Sequence, residues 1–293
     1  MRWTVRASST RCWRPKVLRT ALLQLCSSDQ PDQNLATVKA MMAEAAAGGA
    51  GFVLTPEVTN CLSTSRCHQQ EVLCLEEGDP TLAGLRDQAA RLGLWLSIGS
   101  LALKTWDADG RFANRQFLIT PEGEIAARYD KIHMFDVAVS ETETYRESAG
   151  YRPGDRAVVV QTPFGALGLS ICYDVRFPGL FRRLAQAGAQ ILTIPAAFSP
   201  ATGAAHWHSL LKARAIETGC YVLAAAQTGS HALTRGKPRS TYGHALAISP
   251  WGEVLSDSER EVGIRFVDLD LNEVDKARAR IPSLTHDREF DGP

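Results

Sequence analysis

The chain has 293 residues, with 32 lysines and arginines against 32 aspartates and glutamates, so its formal net charge is zero. That balance argues against a general nucleic-acid binder, which carries a strong basic excess, and no apolar run approaches the roughly 18 residues of a membrane span. Seven cysteines, odd in number and without a CxxC pair, point to a reducing compartment rather than a disulfide framework.

Residues 1–16 read as a basic N-terminal extension, with Arg2, Arg6, Arg11, Arg14 and Lys16 beside Ser8, Ser9 and Thr10 and no acid. That composition suits a solvated, disordered tail, an upstream-start extension or a mitochondrial transit segment. The cytoplasm is the expected location, with the mitochondrion as the alternative if the segment is a targeting signal. The remaining residues, 17–293, are expected to form a single domain. Val17–Leu25 is apolar and strand-like. Pro31 opens a helix whose apolar residues Leu35, Val38, Met42 and Ala45 recur every three or four. Phe52–Thr55 is a short buried strand ending at Pro56-Glu57. Asp79-Pro80 starts a second helix with Leu82, Leu85, Ala89 and Leu92 on one face, closed by Gly93. Leu94–Leu101, Phe112–Thr120 and Glu124–Tyr129 are strands, the last two joined by a Pro121-Glu122-Gly123 turn. Ala157–Gln161 and Ala166–Ile171 are strands around Pro163-Phe164-Gly165. Then come a helix at Pro178–Ala187, a strand at Gln190–Ile194, a helix at Ala204–Thr218 and a strand at Tyr221–Ala226. His244–Ser249 and Ile264–Asp268 are expected to pair around Trp251-Gly252, and Leu271–Arg280 is helical. Alternating strands and helices with several tight turns imply an α/β layered fold with mixed sheets.

Three chemically complementary side chains fall at strand ends, where a residue is held rigidly at a crevice. Cys172 follows "ALGLSI". A cysteine there is a nucleophile if a neighbour takes its proton, and otherwise a buried structural thiol. Glu57 follows "FVLTP" and suits a general base if burial raises its pKa toward neutrality; alone, it reads as a surface carboxylate or a cap. Lys131 in "YDKIHMFD" can stabilise an oxyanion, or is a surface lysine. His133 assists there or is a loop histidine. A thiol, a carboxylate and an ammonium together can perform acyl transfer. Other chemistries find no motif: there is no G-x-S-x-G, Walker A, G-x-G-x-x-G or H-E-x-x-H. His206 and His208 in "AAHWHSLL" are two apart, so on a helix they face different ways and do not form a zinc pair.

The segments "TPEVTN", "YDKIHMFD" and "SICYDVRFP" resemble, in order, the glutamate, lysine and cysteine motifs of the carbon–nitrogen hydrolase (nitrilase) superfamily. The resemblance runs from about residue 17 to about residue 290. It implies a four-layer αββα sandwich and a homodimer or larger homo-oligomer. "TGAAHWHSLLKARAIETGCYVLAAAQTG" and "YGHALAISPWGEVL" look most like the Nit branch, which contains the omega-amidases and the amidase that repairs deaminated glutathione. Carried over by motif, Glu57 is the base, Lys131 the oxyanion lysine, Cys172 the nucleophile and Glu147 in "YRESAGYRPGD" a second glutamate that orients the lysine and substrate. The backbone N–H of Tyr173 joins the oxyanion site. Arg176, Phe198 and Thr202 match positions that hold the substrate's carboxylate end. "TRGKPRS" at 234–240 is more basic than the resemblance leads one to expect.

These readings predict a cysteine-dependent amidase of small linear, carboxylate-bearing amides, with no metal, cofactor, nucleic acid or membrane partner. A nitrilase or a carbamoyl-amine hydrolase is the alternative of the same superfamily. A non-catalytic interaction module on the same fold is the alternative of a different class.

Overall fold

Strict alternation along the first strand sets the layering. In β1 (Leu18–Gln24), Leu18 and Leu22 join one apolar core, while Ala21 and Leu23 join another on the opposite face. A strand whose successive side chains point to opposite faces, both buried, must lie inside a layered fold. The computed structural model describes residues 17–139 and 144–292; the basic extension expected over 1–16 lies outside the described residues.

The first half continues through α1 (Pro31–Ala47), β2 (Phe52–Leu54), α2 (Arg66–Val72), α3 (Pro80–Leu92), β3 (Trp95–Leu103), β4 (Ala113–Ile119), β5 (Ile125–Asp130) and the short strands β6 (Asp136–Ala138) and β7 (Thr144–Arg146). The second comprises β8 (Val158–Thr162), β9 (Gly165–Leu169), α4 (Pro178–Gln186), β10 (Ile191–Thr193), α5 (Pro200–Thr218), β11 (Tyr221–Ala224), β12 (Thr228–Ser230), β13 (Ser240–Tyr242), β14 (Leu246–Ile248), β15 (Val254–Asp257), β16 (Gly263–Leu269) and α6 (Asn272–Arg280). Two six-stranded mixed sheets form, in the orders β16-β1-β2-β3-β4-β5 and β15-β14-β11-β10-β9-β8. Val38, Met42 and Ala45 of α1 and Leu82, Leu85 and Ala89 of α3 cover the outer face of the first sheet. Phe181 and Leu184 of α4 and Trp207 and Leu211 of α5 pack with the second sheet. The result is the αββα sandwich.

Most expected elements are present with ends shifted by a few residues. Asp79 caps α3 by accepting the Leu82 N–H at 2.7 Å, and Gly93 closes it in the left-handed conformation. Helix α5 starts at Pro200 rather than at 204, because proline's fixed φ suits the first helical position. One expected pairing is wrong. The turn at Trp251-Gly252 joins β14 to β15, not to 264–268. Gly252 donates to the Ser249 carbonyl at 2.9 Å with φ of 88°, a tight reversal that commits the residues just after it to the hairpin. The later strand, β16, crosses to the first sheet and pairs antiparallel with β1, Leu269 opposite Leu18. Helix α2 and the pairs β6–β7 and β12–β13 were not read from the sequence.

Two features bring the sheets together where the chemistry lies. Gln116 of β4 donates to Ser97 Oγ at 3.1 Å in its own sheet and to Thr193 Oγ1 at 2.9 Å in the other. Gly99 lies where β3 is irregularly paired with β4. A Cβ at Gly99 would overlap the Thr55 carbonyl oxygen and stand 2.5 Å from both Pro195 Cβ and the Pro56 carbonyl oxygen. Only a residue without a side chain lets the loop after β2 meet the loop after β10. Gly99→Ala is therefore expected to destabilise the fold by about 1–3 kcal/mol and to lower turnover. Urea denaturation beside an activity assay checks this; an unchanged midpoint would show that the loops give way freely.

Candidate active site

Glu57, Cys172 and Lys131 each follow a strand. The first two sit three residues beyond the ends of the parallel strands β2 and β9, and Lys131 directly follows β5. All three are buried. The structure brings them together with Glu147, which the β6–β7 pair delivers on a short 3-10 turn.

Lys131 is the centre of the cluster. Its Nζ donates to Glu57 Oε1 at 2.9 Å and to both oxygens of Glu147 at 2.9 Å. Burial alone would lower its pKa, but Glu147 and Glu57 outweigh that and hold it well above the ordinary lysine value. Glu57 Oε1 also accepts from Asn114 Nδ2 at 2.8 Å, and its Oε2 accepts the Ala197 N–H at 2.8 Å. Burial would push this carboxyl up. The Lys131 charge and the hydrogen bonds from Lys131, Cys172 and Asn114 win, and Glu57 titrates below the ordinary carboxylate value. This corrects the expectation that burial carries it toward neutrality: Glu57 is ionised at rest. Glu147 Oε2 accepts the Phe135 N–H at 2.7 Å, which ties it to the loop after Lys131.

Cys172 borders Glu57, whose charge acts on its thiol, and opens a 3-10 turn with φ of 49°, a conformation rare for a residue with a side chain. Such strain costs about 1–3 kcal/mol and persists only where the surroundings over-determine it. Here the Cys172 N–H donates to the Pro195 carbonyl at 2.9 Å. Asp174 clamps the rest. Its Oδ2 accepts the Ile171 N–H at 2.8 Å and the Tyr129 hydroxyl at 2.6 Å; its Oδ1 accepts the His133 N–H at 3.0 Å and lies 2.7 Å from His133 Nδ1. Desolvation, and then the Glu57 charge, push the thiol well above its ordinary pKa despite Lys131. The resting sulfur therefore keeps its proton.

The N–H of Tyr173 lies in the first turn of that 3-10 helix, where it has no intrahelical acceptor. His133 is committed elsewhere, bound to Asp174 and stacked on Phe177 at 3.5 Å, so it supports the turn that carries Cys172. Arg176 stands 5.5 Å from the Phe198 ring and 5.9 Å from the Tyr173 ring. Among the described residues its one hydrogen-bond contact is with His206 Nδ1 at 3.3 Å, and no carboxylate pairs with it. It does not reach Asp174. Thr202 lies in the first turn of α5 with its hydroxyl buried and unpartnered. Asn114, Asp174, Tyr129 and the Ala197 N–H were not foreseen. One signal pointed to Asn114: zipping β4 against β5 from the 121–123 turn places it beside Lys131, whose N–H donates to the Asn114 carbonyl at 3.0 Å.

An αββα sandwich carrying a glutamate, a lysine and a cysteine at its strand ends defines a class, the hydrolases of carbon–nitrogen bonds other than peptide bonds. The chain belongs to the carbon-nitrogen hydrolase family, whose model matches residues 19–279. It is 38% identical over 274 residues to the deaminated glutathione amidase of Yersinia enterocolitica, covering 93% of this chain and 94% of that protein. It is 38% identical over 286 residues to the human deaminated glutathione amidase, covering 96% and 84%. Among solved structures it resembles the C. elegans NitFhit protein with a TM-score of 0.85 and 34% identity, over 94% of this chain and 66% of that one. A mutant of the amidase from Nesterenkonia sp. AN1, in which acrylamide has added to the active-site cysteine, matches with a TM-score of 0.73 and 26% identity, over 90% and 98%.

Replacing Lys131 by methionine tests the charge arrangement. At neutral pH it strands the buried Glu57 carboxylate and the partly buried Glu147 beside it, a loss of about 3–5 kcal/mol. The wild-type Glu57 carboxyl, with its pKa depressed, contributes stability above the unfolded value and loses it as pH falls through the folded value. In the variant, burial raises the folded pKa above the unfolded one, so the penalty is full at high pH and is recovered on acidification. Urea melts at pH 7 and pH 5 should show the gap closing at pH 5; equal stability at pH 7 would refute the arrangement.

Proposed function

We propose that the protein is a cysteine-dependent amidase that hydrolyses a small linear, carboxylate-bearing amide through a thioester. One observation carries the mechanism: Cys172, held on a strained turn, and Glu57, held by the Lys131 ammonium at 2.9 Å, share one buried site in which the carboxyl is lowered below its ordinary pKa. Substrate binding brings the amide carbon over sulfur. Glu57 takes the thiol proton as Sγ attacks, so a thiolate too costly to bury beforehand forms only as the S–C bond forms. Charge passes to the carbonyl oxygen, where the Tyr173 N–H and Lys131 stabilise it. Glu57 then protonates the departing nitrogen as the C–N bond breaks. A water gives its proton to the same carboxylate and attacks the thioester. Collapse of that second intermediate releases the acid, and the proton on Glu57 returns to sulfur. The acrylamide adduct of the Nesterenkonia relative supports a nucleophilic sulfur at the equivalent place.

Arg176 supports the carboxylate preference. A half-buried guanidinium that has no carboxylate partner among the described residues is suited to pair with an anionic substrate tail. Deaminated glutathione, the substrate in the relatives' names, is the first anionic amide to assay. Two measurements test the reading. Limiting iodoacetamide should label the exposed Cys26 and Cys67 without loss of activity, and inactivation should track label on Cys172; inactivation with Cys172 unlabelled would remove it as the nucleophile. Arg176→Met, assayed with paired anionic and neutral amides, should lower kcat/KM by about tenfold or more for the anionic amide alone. Equal loss with both would make Arg176 structural and end the carboxylate preference.

A further inference from the structure

A second cluster of reactive side chains lies outside the amidase site. His208 sits in the middle of α5, His244 two residues before β14, and Asp257 ends β15. His208 Nε2 is 3.0 Å from Asp257 Oδ2, and His244 Nδ1 is 3.0 Å from Oδ1 and 3.1 Å from Oδ2. The three donor atoms fall within 4.8 Å of one another. The rings stand at 73° with centroids 5.0 Å apart, so their nitrogens converge on the carboxylate instead of stacking.

We propose that His208, His244 and Asp257 form a binding site for a divalent transition-metal ion of the zinc type, which ties α5 to the β14–β15 hairpin. Two imidazoles and a carboxylate suit zinc, cobalt, nickel or copper over magnesium or calcium. An ion with bonds of about 2.0–2.1 Å keeps tetrahedral ligands roughly 3.3 Å apart, close to the nitrogen–oxygen separations here. The ion takes the place of the protons now shared between the imidazoles and Asp257, and a water completes the fourth position.

The ligands are held before any ion arrives. Trp207 Nε1 donates to the His244 carbonyl at 2.9 Å, Tyr242 stacks on the His244 ring at 4.4 Å, and the Glu259 N–H donates to Asp257 Oδ1 at 2.7 Å. His244 has φ of 58°, strained for a residue with a side chain, and its N–H donates to the Glu259 carbonyl at 2.6 Å. None of the three ligands takes part in amide hydrolysis. The site still borders the substrate side: the Tyr242 N–H donates to the Phe198 carbonyl at 2.9 Å, and its ring packs on Gly203 at the start of α5.

The experiment uses the full chain without a polyhistidine tag, stripped with chelator and titrated with Co2+ and separately with Zn2+. One equivalent of Co2+ should give weak visible ligand-field bands without the near-ultraviolet thiolate charge-transfer band, and Zn2+ should raise the unfolding midpoint. His208→Gln and Asp257→Asn should each weaken binding by at least about tenfold, while the metal-free variants keep wild-type amidase activity. Substoichiometric binding, a thiolate band, or variants that bind as tightly as the wild type would overturn the proposal and leave a hydrogen-bonded His–Asp–His cluster only.

Discussion

The structure turns on a lysine buried between two glutamates. Glu57, Lys131 and Glu147 sum to one negative charge in a place that water barely reaches. Desolvation of such a group costs several kcal/mol per ion unless every lone pair and proton finds a partner. The surrounding bonds meet that demand: Asn114 and the Ala197 N–H on Glu57, the Phe135 N–H on Glu147, and Glu57 and Glu147 on Lys131. The partners come from β4, the loop after β5, the turn after β7 and the loop after β10. Both sheets must therefore be in place before the charges are tolerable, and catalytic competence and folding share one requirement.

The second constraint is geometric. In the proposed mechanism a thiol faces the base and a backbone N–H faces the same space, and the residue that joins them, Cys172, is held in the left-handed conformation. Asp174 holds that turn from beneath through Ile171, Tyr129 and His133. Burial keeps the sulfur protonated, while the Lys131 charge and the hydrogen bonds keep Glu57 ionised against its burial, so the pair is poised for proton transfer without standing as two buried anions. The preference is set by desolvation, which disfavours a second negative charge beside the first.

Much of the layering was legible from local pattern. Pro31, Pro80 and Gly93 mark helix ends because proline has no N–H to lose at a helix start and glycine accepts positive φ at its close. The alternation of β1 and the Asp79 cap follow from similarly short-range rules. The pairing of β16 did not, since any strand of suitable polarity can pair with another and only the complete sheet selects β1 as its neighbour. Gly99 looked unremarkable because its role is to leave room for a loop of the opposite sheet.

The sequence by itself determined the residue types at the strand ends, their order and the family resemblance that gave them roles. It also fixed which segments could become helix or strand, because those preferences reside in a few neighbouring residues. Only the tertiary structure decided how the groups act. It left Glu57 ionised, kept Cys172 as a thiol, withdrew His133 to a supporting position and brought His208 to His244 and Asp257. The physical reason is common to all four. Ionisation and hydrogen bonding depend on burial and on partners tens of residues away, and a linear pattern carries neither until the sheets pack.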